Sequence, residues 1–281
     1  MNRAHLARGP RVLVFDSGLG GLTVLARIAE ARPDAAIVYA ADDAAFPYGA
    51  LGEREVVGRV LSVMENLIPR HAPDLVVIAC STASTLVLEP LRQRYRALPF
   101  VGTVPAIKPA AAASKSRLVS VLATPGTVAR DYTQALVREY AGDCEVALVG
   151  SARLASLAEE FIKGVAVDEA EIAREIAPCF IERRGQRTDL VVLACTHYPL
   201  LREHFARLAP WPVDYIDPAP AIARRVDALL GPVSAPAPTG ARALAIFTSG
   251  REPGAALRAA LLGFGLVAAP SDAGAFQFGR S

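Results

Sequence analysis

Two periods of hydrophobicity alternate along this chain. Short apolar, β-branched runs at residues 12–15, 36–40, 74–78, 118–122, 145–149, 189–193, 213–216 and 243–247, with a shorter one near Leu266, predict strands buried on both faces. Between them, apolar residues at helical spacing predict helices over 22–31, 53–69, 83–95, 152–162, 169–183 and 218–230. One more helix runs up to Tyr140 and another through Leu262. In the stretch from Glu53 to Pro69, residues Val56, Val57, Val60, Leu61, Met64, Leu67 and Ile68 fall at helical spacing and read as core. Two segments break the rhythm. Residues 100–109 carry Pro105 and Pro109 and read as a stiff crossover. Residues 231–240 carry Pro232, Pro236 and Pro238 and read as a connector. Alternating strands and helices of this kind predict an α/β fold with mostly parallel sheets and right-handed crossovers. The Gly- and Ala-rich last residues are expected to fray.

One pattern occurs twice. Asp74-Leu75-Val76-Val77-Ile78-Ala79-Cys80-Ser81-Thr82 returns as Asp189-Leu190-Val191-Val192-Leu193-Ala194-Cys195-Thr196-His197. Each is a buried strand that ends in a cysteine and small hydroxyl residues, followed by the start of a helix. Ligands in open α/β sheets bind at the carboxyl ends of strands. A lone cysteine at such a place is usually core, but copying a core residue would not explain the polar pairs Ser81-Thr82 and Thr196-His197. The repeat implies two similar three-layer α/β lobes, pseudo-twofold related, the second inserted in the first, with the active site in the cleft between them.

Composition narrows the function. At 281 residues, 52% hydrophobic and a net charge of +2, the chain can bury a large core and carries no basic stripe for nucleic acid. No apolar run reaches membrane-spanning length, and residues 1–10, with Arg3, His5 and Arg8, lack the apolar centre of a signal peptide. A cytoplasmic location with reduced thiols is expected. The four cysteines, Cys80, Cys144, Cys179 and Cys195, show no zinc-ligand spacing, so no metal is expected.

The first strand runs into Asp16-Ser17-Gly18-Leu19-Gly20-Gly21. Ser17 or the glycines could cap the next helix, whose free N–H groups could hold an anion; the plainer reading is a tight turn. The second strand leads to a loop holding Pro47-Tyr48-Gly49. A free thiol is mostly protonated at neutral pH and becomes a base at a helix N-terminus or beside a cation. His197 is placed to exchange a proton with Cys195, and Asp16 to serve Cys80. Two thiols on opposite faces of one carbon could exchange a Cα proton with inversion, one as base and one as acid.

These segments resemble the glutamate racemases, cofactor-independent members of the aspartate/glutamate racemase superfamily. The resemblance rests on Phe15-Asp16-Ser17-Gly18-Leu19-Gly20-Gly21, Pro47-Tyr48-Gly49, Ala79-Cys80-Ser81-Thr82-Ala83-Ser84, Val104-Pro105-Ala106-Ile107-Lys108-Pro109, Ala123-Thr124-Pro125-Gly126-Thr127 and Leu193-Ala194-Cys195-Thr196-His197-Tyr198-Pro199-Leu200. It implies lobes made of residues 1–103 plus 212–281 and of 104–211. It also implies a cofactor-free interconversion of L- and D-glutamate that supplies D-glutamate for peptidoglycan. In that reaction Cys80 takes the proton from the D-enantiomer and Cys195 from the L-enantiomer. Asp16, Ser17, Tyr48, Gly49, Ser81, Thr82, Thr196 and His197 fall at substrate-contact positions, Thr124 and Thr127 line the same site, and Glu159 matches an acidic residue that assists His197. Ser81 departs from the asparagine usual there. The chain lacks the N-terminal extension of members activated by a cell-wall precursor, so no such activation is expected. A homodimer is compatible with the sequence.

Four alternatives stand beside this reading. A pyridoxal-phosphate racemase needs a Schiff-base lysine, and Lys108, Lys115 and Lys163 lie at no strand-end site. A thiol hydrolase would use one cysteine and leave its twin unexplained. A racemase of aspartate or another acidic amino acid fits the thiols equally well. A non-catalytic carboxylate-binding protein fits the lobes but needs no thiols.

Overall fold

The computed structural model describes residues 9–233 and 243–270. The expectations for the N-terminal ten residues, the proline connector and the glycine-rich end fall largely or wholly outside them. In chain order the first elements are β1 (Arg11–Asp16), α1 (Leu22–Ala31), β2 (Ala36–Ala41), α2 (Glu53–His71), β3 (Leu75–Ile78), α3 (Ser81–Arg94), β4 (Phe100–Gly102) and α4 (Ile107–Ala113). Then come β5 (Leu118–Ala123), α5 (Pro125–Val128), α6 (Asp131–Tyr140), β6 (Glu145–Gly150), α7 (Leu154–Ile162), α8 (Glu169–Ile176), β7 (Glu182–Arg183), β8 (Gln186–Arg187) and β9 (Leu190–Leu193). The last are α9 (Arg202–Leu208), β10 (Asp214–Ile216), α10 (Ala219–Leu230), β11 (Ala243–Phe247), α11 (Ala255–Gly263) and β12 (Leu266–Ala268).

The chain divides into two compact units. One is Met1–Thr103 with Ala219–Ser281, the other Val104–Pro218. The first holds a six-stranded sheet in the order β12-β11-β2-β1-β3-β4, with every pairing parallel. Leu13, Phe15, Val38, Ala40, Val76 and Ile78 pack on one face with apolar residues of α2 and α3. Their alternates Val12, Val14, Tyr39, Leu75 and Val77 are fully buried too. Side chains alternate across a strand, so both faces of this sheet are covered and the unit has three layers.

The second unit holds a four-stranded parallel sheet, β10-β9-β5-β6. Its order β6-β5-β9-β10 repeats β2-β1-β3-β4 strand for strand, which is the structural form of the repeated cysteine motif.

Three expectations change. The strand near 213–216 pairs with β9, Tyr215 opposite Val191, so the boundary falls after Pro218 instead of at residue 212. The helix expected over 169–183 stops at Ile176. Pro178 opens a 3₁₀ turn, and β7 and β8 then form a hairpin around Arg184 and Gly185, both at positive φ. The 100–109 crossover contains edge strand β4 and the start of α4. No helix among the described residues is long and apolar enough to cross a membrane.

Candidate active site

In the first unit, Phe15 of β1 lies opposite Ile78 of β3. The residues two further on, Ser17 and Cys80, therefore leave adjacent strands side by side. Strand order reverses between these strands: β2 lies on one side of β1 and β3 on the other. That is the switch point at which parallel sheets bind ligands. The Cys80 thiol donates to Ser17 Oγ at 3.5 Å. Cys80 is also the N-cap of α3, with Ser81 and Thr82 in the first turn and all three buried. A helix N-terminus presents free N–H groups and a positive dipole end, which favour an anion there.

The turn after β1 is held by its own carboxylate. Asp16 Oδ1 accepts from the Gly18 N–H at 2.8 Å, and the Tyr39 hydroxyl donates to the Gly18 carbonyl at 2.6 Å. A Cβ on Gly21 would stand 2.8 Å from Asp16 Cβ and 3.1 Å from Ala79 Cβ, so glycine is required by close approach. Gly21, not Ser17, is the N-cap of α1, and no side chain caps it; Ser17 faces Cys80 instead.

Tyr48, buried in a short 3₁₀ turn, donates to Asp42 Oδ2 at 2.6 Å. Asp42 also accepts from Arg59 Nε at 2.7 Å and Nη2 at 2.5 Å, and from Thr248 Oγ1 at 2.5 Å. Burial, then the Asp42 charge beside it, push the Tyr48 phenol up, so it stays neutral. Gly49 next to it is exposed. Sequence reasoning singled out Tyr48 but not the three residues that hold it. The available signals were a polar Asp42 at a strand end and Arg59 inside an apolar helical face.

The second unit repeats the arrangement. Leu122 of β5 lies opposite Leu193 of β9, so Thr124 and Cys195 stand two residues beyond the pair, as Ser17 and Cys80 do. Thr124 caps α5, and its hydroxyl lies 3.0 Å from that of Thr127. After Cys195 the copies diverge. Thr196 and His197 form a turn, and Pro199 sits in a 3₁₀ helix before α9 begins.

Cys195 Sγ is 3.9 Å from His197 Nδ1, and His197 Nε2 is 3.0 Å from Glu159 Oε1. All three residues are buried. An ionised carboxylate can only accept, so Nε2 carries its proton and Nδ1 turns toward the thiol. Burial works to raise the Glu159 pKa. The hydrogen bond and charge of His197, with Lys163, outweigh it and hold the carboxyl at about 2. Glu159, matched only loosely in sequence, thus stands against His197.

The other cysteines differ. Cys179 is almost fully buried, and burial alone pushes its thiol up to about 12, so it stays protonated. Burial likewise raises Cys144. Of the sequence-chosen residues, the first unit gathers Asp16, Ser17, Cys80, Ser81 and Thr82 at its strand ends, with Tyr48 and Gly49 on the loop after β2. The second unit places Thr124, Thr127, Cys195, Thr196 and His197 at its strand ends, with Glu159 on α7. Among the described residues no cluster of His, Cys, Asp or Glu could hold a metal ion.

Parallel α/β units with strand-end thiols are the framework of an amino-acid racemase. A model of the Asp/Glu/Hydantoin racemase family matches residues 16–226, and the chain belongs to that family and is an isomerase. It is 56% identical to the glutamate racemase of Brucella anthropi over 91% of this chain and 92% of the relative. It is 55% identical to that of Mesorhizobium japonicum, over 91% and 97%. Among solved structures, it superposes on Escherichia coli glutamate racemase in complex with L-glutamate and the activator UDP-MurNAc-Ala. The TM-score is 0.84 at 37% identity, covering 93% of this chain and 98% of the other. The enzyme of Thermus thermophilus, in complex with β-chloro-D-alanine, follows at a TM-score of 0.68 and 26% identity, covering 93% and 96%.

Ser81 supplies a first prediction. It is buried in the first turn of α3, beside Cys80. Asparagine there would add an amide that reaches further than the hydroxyl. Ser81→Asn should change KM for glutamate more than KM for shorter acidic amino acids. Steady-state kinetics on both classes check this, and equal changes for all would show that the position does not read side-chain length.

Proposed function

We propose that this protein interconverts L- and D-glutamate by two-thiol proton transfer at Cα, with no cofactor. The observation that carries the reading is that Cys80 and Cys195 occupy equivalent switch points, each beside its own polar partner, while Cys179 is sealed in apolar surroundings. Identity of 55–56% to curated glutamate racemases supports glutamate as the substrate. In the L-to-D direction the Cys195 thiolate takes the Cα proton, and the carbanion takes a proton from the Cys80 thiol on the opposite face. Thiol and thiolate have then exchanged places, and the reverse reaction is the mirror image. His197, backed by Glu159, sets the proton on Cys195; Ser17 orients Cys80. Asp16, Tyr48, Gly49, Ser81, Thr82, Thr124, Thr127 and Thr196 hold the amino acid. D-glutamate made in the cytoplasm would serve peptidoglycan synthesis. Two thiols fix the reaction but not the length of the substrate's side chain, so aspartate or another acidic amino acid is the second reading.

The test is incubation of the purified protein with L-glutamate in D2O, without pyridoxal phosphate, metal or nucleotide, followed by polarimetry and mass spectrometry. Rotation should decay to zero, and D-glutamate should carry deuterium at Cα from its first appearance. Activity that appears only on adding a cofactor would exclude the thiol mechanism.

A further inference from the structure

We infer that Lys163 is a positioning residue for the Cys195 half of the reaction, acting through Glu159 and His197. This rests on the two-thiol reading above. Lys163 Nζ is 2.5 Å from Glu159 Oε2, one helical turn on, while the other carboxylate oxygen meets His197. The row therefore runs Lys163, Glu159, His197, Cys195, each in contact with the next. Its ends differ in burial: the Lys163 side chain is 44% exposed and that of Glu159 only 5%.

The geometry gives Lys163 a specific task. The last torsion of a glutamate side chain is broad and roughly two-fold, and a contact at one oxygen restrains it. Pinning Oε2 leaves Oε1 to face the imidazole in one orientation, which fixes the ring and its tautomer. A lysine at a helix C-terminus is by itself ordinary surface chemistry worth little. Here its partner is buried and in contact with the histidine that faces the thiol.

Other charged groups lie near α7: Glu160 on the helix itself acts on Arg153, and His204 of α9, edge-on to Phe161, is paired with Glu169. Against α7 pack α8 and the 3₁₀ turn that begins at Tyr198. On α8, Glu171 is paired with Arg153 and Glu175 accepts from the Ser151 hydroxyl. On the turn, Tyr198 donates to the Ser151 carbonyl at 3.4 Å. His197 and Lys163 both act to lower the Glu159 pKa. Removing Lys163 takes away one of the groups that hold the Glu159 carboxyl down. The pH at which the carboxylate is lost then rises.

The readout must separate the thiols. Enantiomers have equal free energies, so kcat/KM for racemisation is the same in both directions whatever is mutated. Elimination from β-chloroglutamate escapes this constraint: one base takes the Cα proton, the C–H electrons form the Cα–Cβ π bond, and chloride leaves with the C–Cl pair. Lys163→Met should slow elimination from the L-form about tenfold, a loss typical of a supporting residue. It should move the acid limb of that profile to higher pH and leave the D-form within about twofold. Lys163→Arg should restore the L-form. Equal loss from both enantiomers, or no loss from either, would overturn the proposal. If Cys195→Ser keeps full activity on the L-form, the two-thiol assignment fails instead, whatever Lys163 does.

Discussion

Cys80→Ser and Cys195→Ser should each abolish racemisation, with kcat falling by about 10²–10⁴-fold or more, the contribution usual for a positioned acid or base. A serine hydroxyl is a far poorer base than a thiol, and racemisation needs both groups, one to remove the proton and one to return it. The two variants should nevertheless differ from each other. With β-chloroglutamate, elimination requires a single base, so Cys80→Ser should still release chloride from the L-form through Cys195. Cys195→Ser should release it from the D-form through Cys80. The measurement is chloride release from each enantiomer by each variant. Single-variant rates are differences and not partitions, so the decisive result is which enantiomer survives. Loss of the same enantiomer in both variants would mean that the thiols do not serve opposite faces. Cys179→Ala is the control: its thiol is held near 12 by burial, so racemisation should persist.

Much of this was readable in the chain itself, for a physical reason. A strand buried on both faces must be apolar throughout, so β1, β3, β5 and β9 announce themselves as unbroken runs, and parallel pairing brings together the carboxyl ends of β1 and β3 in one unit and of β5 and β9 in the other. Once Cys80 and Cys195 are placed at those ends, their neighbours Ser17 and Thr124 follow from pairing register. What escaped depends on partners distant in sequence. A strand as short as β10 carries no mark of its sheet; only its pairing with β9 assigns it to the second unit. The end of α8 is set by Pro178 and the hairpin beyond, while the helical pattern continues through it. Glu159 could be matched only loosely because its helix position reads as surface. Its burial against His197 is a tertiary fact. The Asp42 cluster is the strongest case, since it joins Thr248 to Asp42 across 206 residues.

That cluster should carry the largest single stability effect among the polar groups around the site. Asp42 is fully buried and accepts from Tyr48, Arg59 and Thr248. Asp42→Ala removes the acceptor and leaves three donors. Removing one partner of a buried ion pair costs about 3–5 kcal/mol, but the Arg59 side chain is 17% exposed and can turn toward water. The Tyr48 hydroxyl cannot, because the residue is 1% exposed, and a buried unsatisfied hydroxyl costs about 1–3 kcal/mol. The expected loss is therefore about 3 kcal/mol, at the low end of the pair-breaking range. Asp42→Asn keeps a carbonyl acceptor and should lose roughly half as much. Adding Arg59→Met to Asp42→Ala should lose less than the sum of the two single changes, because each removes the partner of the other. Urea unfolding of the wild-type protein and the four variants measures the stabilities. Kinetics should show KM rising more than kcat falls, since Tyr48 and Gly49 lose their seat while both thiols stay in place. A loss below about 1 kcal/mol for Asp42→Ala, within the range of ordinary surface hydrogen bonds, would show that the Tyr48 turn is held by its apolar packing on Phe15 and α3 instead.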